Sequence, residues 1–319
     1  MKTTGISESK SLDIVTKMQI LAIIIGLVLF PTCLKDKPSP ISVPQINDSM
    51  VDILPITTLP SILKESSGLV LTEPGVLWSH NDSGNENKLY CFNSSGALLR
   101  TITISNATNT DWEDLAIDNQ NRIYICDTGN NNNSRKDLVI YRIPNPTSSS
   151  ASTVTAEKIF YSFQDQTLFP PPSSNRNFDV EGVIWHNDSL FLFTKDRSTP
   201  LTGYTKMYKI PASPGNHIAK LAGSIHLGNT NSSARVTAAD YHPASGRLVL
   251  LVQERLVMFT NFKGSNFLNG TVTNFTFKSM PGQAEAIFFE DQDTLLMTEE
   301  GSGGSSGLIY RIALPSTDG

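Results

Sequence analysis

The sequence predicts an all-β protein built as a closed ring of repeated four-stranded sheets, and three observations predict it. Ser, Thr, Asn and Gly are abundant while only 17% of the 319 residues are charged, a composition that suits short strands and turns better than long solvated helices. A strand pattern recurs five times, at a spacing of roughly 45 to 70 residues, the range of propeller blades with their loops. The fifth repeat lacks its last strand, and an unassigned strand, Val51 to Leu59, precedes the first. A β-propeller closes when one terminus completes the last blade. The expected fold is therefore a propeller of five four-stranded blades sealed by the N-terminal strand, with six blades as the alternative if residues 145–178 hold a further sheet. Pro170, Pro171 and Pro172 read that segment as a loop, since proline cannot donate to a strand ladder.

Ahead of the ring, Ile20 to Phe30 is an unbroken apolar run with Lys17 before it and Pro31 after it. It is shorter than the roughly 20 residues that span a bilayer and matches a signal-peptide core. Residues 1–33 are read as a signal peptide, with Met18 as a second candidate start. The stretch Phe30-Pro31-Thr32-Cys33 resembles a loose bacterial lipobox, and Lys35 and Asp36 after it resemble the export tags of some Gram-negative surface lipoproteins. Lipidation of Cys33, membrane attachment through that lipid and residence in the bacterial envelope are expected, as an outer-membrane or surface lipoprotein or, alternatively, as a secreted protein. Residues 34–49 read as a proline-rich tether, and residues 50–319 as one propeller domain, expected to be monomeric. Cys91 and Cys126 sit in apolar strands and read as buried free thiols.

Each repeat opens on a strand beginning with a small or acidic residue: Ser67-Gly68-Leu69-Val70, Glu113-Asp114-Leu115-Ala116, Glu181-Gly182-Val183-Ile184, Ala238-Ala239-Asp240-Tyr241 and Glu285-Ala286-Ile287-Phe288. A second apolar run ending in polar residues follows, from Val76, Ile123, Leu190, Leu248 and Leu295. A third, rich in tyrosine and β-branched residues, comes at strand spacing. Fourth strands start at Leu98, Lys158, Lys220 and Thr271.

The segments Glu65–Leu71 (ESSGLVL), Asp111–Asp118 (DWEDLAID), Phe178–Trp185 (FDVEGVIW) and Ala284–Phe289 (AEAIFF), each joined to a tyrosine-bearing third strand, resemble the bacterial propellers of the SdiA-regulated family. More distantly they are similar to NHL and esterase-like phytase propellers. The resemblance covers roughly residues 60–313 and implies the fold and export; it leaves the chemistry open.

In an antiparallel blade the start of the first strand and the end of the second share a rim. Glu113, Glu181 and Glu285 start first strands, and three glutamates converging on a channel must be protonated, paired or holding a cation. They are the candidate metal ligands, for Ca²⁺ or Mg²⁺; the structural alternative is that each caps backbone N–H groups of the next blade. Candidate ligand-binding residues on the same rim are Asp82, Asp127, Asn130, Arg135, Lys195, Arg197 and Glu299, with Arg135 placed to grip a carboxylate or phosphate. Asp82-Ser83-Gly84 and Asp127-Thr128-Gly129 also read as Asp-x-Gly turns. His80 and His186 lie near turns and read as exposed.

The balance of 25 basic against 30 acidic residues leaves no basic stripe for nucleic acid. No nucleophile elbow, Walker loop or zinc-ligand spacing is present. The sequence favours binding of a small molecule, glycan or protein at an acidic channel mouth. The alternative is a divalent-cation-dependent hydrolase of an ester, lactone or phosphoester.

Overall fold

The computed structural model describes residues 46–315, so Cys33, the signal peptide and most of the tether lie outside the described residues. Two strands open it: β1 (Ile46–Val51), which takes up the last residues of the segment read as tether, and β2 (Leu54–Thr58). The first repeat forms β3 (Ser66–Glu73), β4 (Val76–Asn81), β5 (Lys88–Asn93) and β6 (Leu98–Ile104). The second forms β7 (Trp112–Ile117), β8 (Ile123–Asp127), β9 (Val139–Ile143) and, after a two-residue strand β10 (Thr153–Val154), β11 (Glu157–Phe163). The third comprises β12 (Asp179–His186), β13 (Ser189–Lys195), β14 (Tyr204–Pro211) and β15 (Gly215–His226). The fourth comprises β16 (Val236–His242), β17 (Arg247–Val252), β18 (Arg255–Thr260) and β19 (Thr271–Phe277). The last has β20 (Ala284–Phe289), β21 (Thr294–Glu299) and β22 (Leu308–Ala313).

Each repeat is an antiparallel meander, and β2 pairs antiparallel with β22 to give the last repeat its fourth strand. The expected closing strand is in fact two. β1 runs parallel to β19 on the neighbouring blade, and the chain then crosses to β22. Pro55 is tolerated in β2 because β2 is an outer edge strand, where a missing N–H costs nothing. Residues 145–178 add β10, parallel to β6, and β11, rather than a further sheet. β15 begins before the expected Lys220 because its first half also pairs parallel with β11, Ile159 opposite Gly215.

The innermost strands close a ring: β3 packs on β7, β7 on β12, β12 on β16, β16 on β20 and β20 on β3. The core is divided in the same way into five clusters, each lying between two neighbouring blades. The one that seals the ring joins Leu69, Leu77, Tyr90 and Phe92 of the first blade to Ala286, Leu296 and Ile309 of the last. Apolar residues of a strand buried on both faces serve two clusters at once, which is why these strands read as near-continuous apolar runs. This is a β-propeller.

Candidate functional site at the acidic mouth

All five inner strands carry a register break near their start, which leaves one residue per strand outside the ladder: Gly68, Glu113, Glu181, Thr237 and Glu285. A bulge turns the extra side chain out of the sheet's alternation, and here it delivers three glutamates to one channel mouth. The repeat alignment made on sequence is shifted by one in two blades, with Gly68 and Thr237, not Ser67 and Ala238, equivalent to the glutamates. Gly68 is required there: its φ is +68°, and a Cβ would stand 2.6 Å from the Leu115 backbone nitrogen.

Glu113 and Glu181 are brought together, with Asp179 completing a group whose carboxylate oxygens lie within 4.8 Å of one another. Glu285 stands outside that group. Glu181 is committed elsewhere, its Oε2 accepting from Lys195 Nζ at 2.9 Å and its Oε1 from Arg197 at 2.8 Å. Arg197 Nε also pairs with Asp179 at 2.5 Å. Burial alone would lower Lys195, but Glu181 and Glu285 beside it hold it above its ordinary value.

A second group consists of Asp82, Asp111 and Glu113, again within 4.8 Å. None of these three carboxylates is in contact with a basic side chain among the described residues. Glu113 is 6% exposed, yet its carboxylate has no hydrogen-bond partner among the described residues. Burial, then the neighbouring charges of Glu181, Asp82 and Asp179, push it well above the usual carboxylate range. Burial first, with other acids adding to it, raises Asp82 and Asp111 to about 6 each. Gly129 packs against this pair of side chains: a Cβ on it would fall 2.2 Å from Glu113 Oε1 and 2.4 Å from the Asp111 carboxyl group.

Other side chains brace one blade against the next, hydroxyls on carbonyls and two deeper aspartates on the N–H groups considered for the glutamates. Ser67 Oγ donates to the Glu113 carbonyl, Thr128 Oγ1 to Val180 O at 2.9 Å, and Thr237 Oγ1 to Ala284 O at 2.7 Å. Deeper in the ring, Asp114 accepts from Val183 N at 2.8 Å and Asp240 from Phe289 N at 2.7 Å. These bonds stitch successive inner strands together and leave the bulged glutamates free of that task.

Of the expected ligand-binding residues, Asp82 forms its Asp-x-Gly turn, with Ser83 N donating to its Oδ1 and Gly84 at φ +73°. Asp127 instead accepts from Asp111 N at 3.0 Å and Arg135 at 2.9 Å. Arg135 is further tied to the Gly129 carbonyl at 2.8 Å and to Asp137 at 3.1 Å, so its guanidinium holds the loop together. Asn130 bridges to the third blade, donating to Phe178 O at 3.0 Å and, through its backbone N, to Asp179. Glu299 accepts from Gly282 N at 2.6 Å and Tyr310 Oη at 2.8 Å. Lys195, with Arg235, Gln253, Gln283, Thr237 and Glu285, lines a cavity of about 180 Å³. His80 is fully buried edge-on against Trp112, which the exposed reading missed because Trp112 belongs to the next inner strand. Cys91 and Cys126 are buried and free.

Sequence reasoning passed over Asp111 and Asp179. The signal was present: Asp111-Trp112-Glu113 and Asp179-Val180-Glu181 repeat an Asp-x-Glu spacing across the register break.

The fold and this mouth define a β-propeller with carboxylates at bulged positions of its inner strands. The chain belongs to the SdiA-regulated family, whose profile matches residues 53–302. Among solved structures it is similar to a PQQ-bound aldose sugar dehydrogenase from Streptomyces coelicolor, at 13% identity over 85% of this chain and 99% of that one, TM-score 0.49. It is also similar to a gluconolactonase from Xanthomonas campestris, at 13% identity over 81% and 89%, TM-score 0.43. A chain of a nidogen/laminin complex gives 12% identity over 79% and 86%, TM-score 0.45. No curated protein matches the chain.

Proposed function

We propose that this is an envelope-tethered binding propeller in which Asp82, Asp111 and Glu113 hold a divalent cation that helps bind a small oxygen-rich ligand, such as a sugar or sugar acid, at the mouth. The observation that carries the reading is Glu113: its largely buried side chain has no hydrogen-bond or ion-pair partner for the carboxylate among the described residues and faces two other acids, an arrangement that a bound cation or a proton relieves. One oxygen from each of the three carboxylates lies within 4.8 Å of the others, close enough to share a single hard cation, and Ca²⁺, with its larger and more flexible oxygen shell, is the first ion to try. The neighbouring cavity adds donors and acceptors of both kinds in Arg235, Gln253, Gln283 and Glu285, which suits hydroxyl and carboxylate groups. Binding is favoured over turnover because Asp179 and Glu181 are held in ion pairs rather than poised as bases.

Titration calorimetry of the purified domain against a panel of neutral sugars and sugar acids, in Ca²⁺ and in chelator, tests this. Saturable binding that needs the cation supports it. Steady hydrolysis of a lactone, ester or phosphoester by the same protein would replace binding with catalysis, and identical titrations with and without chelator would remove the cation from the site.

A further inference from the structure

The opposite end of the channel holds a second cavity, of about 170 Å³, distinct in residues and in chemistry from the acidic mouth. It is lined by Ala116, Ile184, Asp240 and Phe288 of four inner strands, together with Trp185 and Tyr241. The cavity is mostly apolar and aromatic; Asp118, Asp240 and His242 are the acidic and basic residues that line it. The Asp240 carboxylate accepts backbone N–H groups, Phe289 N at 2.7 Å among them, and no basic side chain pairs with it among the described residues. Asp118, the other carboxylate lining the cavity, is already paired with Arg122 at 2.6 Å; an adjoining cavity shares Phe288 and adds Glu73 and Glu290, the latter paired with Arg311 at 3.0 Å.

A carboxylate without a counter-ion beside aromatic side chains is the chemistry that recognises an organic cation: the carboxylate supplies charge and the ring faces supply cation–π attraction. We propose that this cavity binds a small organic ammonium ion through Asp240, with Trp185, Tyr241 and Phe288 packing on its apolar body. The site is independent of the cation proposed at the other mouth.

Choline serves as the probe and 3,3-dimethylbutan-1-ol, its uncharged isostere, as the control, with the full domain at pH 8 in chelator. Choline should raise the melting temperature saturably and change the fluorescence of Trp185; the other two tryptophans, Trp78 and Trp112, are buried elsewhere in the core. The isostere should do neither. Asp240→Asn retains an acceptor for Phe289 N–H and should weaken choline binding by roughly tenfold or more, the scale of one lost ion contact in a desolvated site. Trp185→Phe should silence the fluorescence change while the thermal response persists. The following results would overturn the proposal: no response to choline, an equal response to the isostere, a choline response unchanged in Asp240→Asn, or a response that needs Ca²⁺. Because wild-type selectivity between choline and its isostere decides the matter without any variant, an unfolded Asp240→Asn would not rescue it. Preference for a neutral methyl glycoside over choline would likewise count against it.

Discussion

At the scale of single residues, the mouth is a place where burial and like charge act in the same direction. Burial first, with nearby acids adding to it (Glu300 and Asp82 for Glu285, Asp82 and Glu65 for Glu300) and Lys195 opposing, raises Glu285 and Glu300 to about 7. At the other end burial raises Asp240 to about 7. His80 works in the opposite sense, lowered to about 4 by burial, so its contribution to stability is lost as pH falls below its unfolded value near 6.5 and is complete above it. The carboxylates have folded values above their unfolded ones, so the folded state binds the extra protons and their contribution is lost as pH rises through about 7. In chelator, the melting temperature should therefore fall between pH 6.5 and 8, because the several raised carboxylates outweigh the residual titration of His80 in the unfolded chain, which acts in the opposite sense. Glu285→Gln should flatten part of that fall. A rising melting temperature across this window would contradict the assignment of these groups.

The bracing hydroxyls make a contrasting case. Thr237→Val removes the donor to the buried Ala284 carbonyl and should cost about 1–3 kcal/mol, the penalty of an orphaned buried acceptor, with Ca²⁺ binding unchanged. Urea unfolding of the variant with and without Ca²⁺ reads both numbers. A loss of Ca²⁺ affinity equal to that of Glu113→Gln would show that the mouth and the brace are one system.

At the scale of elements, strand alternation and apolar runs were legible because each inner strand buries both faces, and the pattern survives loops of any length. The bulges were not. A register break adds one residue without changing hydrophobicity, so the alignment slipped by one at Gly68 and Thr237, where no glutamate marks the position. Asp111 and Asp179 were missed for a related reason: they stand before the apolar run that defines the strand, and only folding across the bulge turns them toward Glu113 and Glu181. The partners of Arg135 and Asn130 were invisible too, because they are backbone and side-chain groups of loops far apart in sequence. What sequence did carry was the convergence of Glu113 and Glu181 on one rim.

The closing strand gives the element-scale prediction. Removing residues through Thr58 strips β1 from β19 and β2 from β22 and exposes two edges, a template for intermolecular pairing. The truncated domain should aggregate or unfold, whereas removing residues only through Val43 should leave a soluble domain with an unchanged melt. A truncation at Thr58 that stays monomeric and equally stable would mean that the ring closes without its N-terminal strands.

At the scale of the whole molecule, an apolar cluster between every two neighbouring blades joins the ring into one body. Attachment to the envelope belongs to the same scale. We propose that lipid on Cys33 anchors the chain. Cys33→Ser should then move the protein from the membrane fraction to the soluble fraction of the cell envelope or medium. Mass spectrometry of the wild-type N-terminus that finds an unmodified Cys33, or a mature chain starting elsewhere, would sink the anchor while leaving the propeller untouched.

The central claim is that Asp82, Asp111 and Glu113 form a cation site on a ring that does not need them for its fold. Thermal melts of the wild type and of Glu113→Gln, each in chelator and in Ca²⁺, test it most directly. A cation bound only by the folded state must stabilise it by mass action, about 2.7 kcal/mol at a hundredfold excess over Kd. The expected result is a wild-type melting temperature that rises with Ca²⁺. Glu113→Gln, freed of a buried unpaired carboxylate, should melt at or above the chelated wild type and ignore Ca²⁺. A wild type indifferent to Ca²⁺, or a Glu113→Gln variant that is destabilised in chelator, would contradict the account and return Glu113 to a structural role.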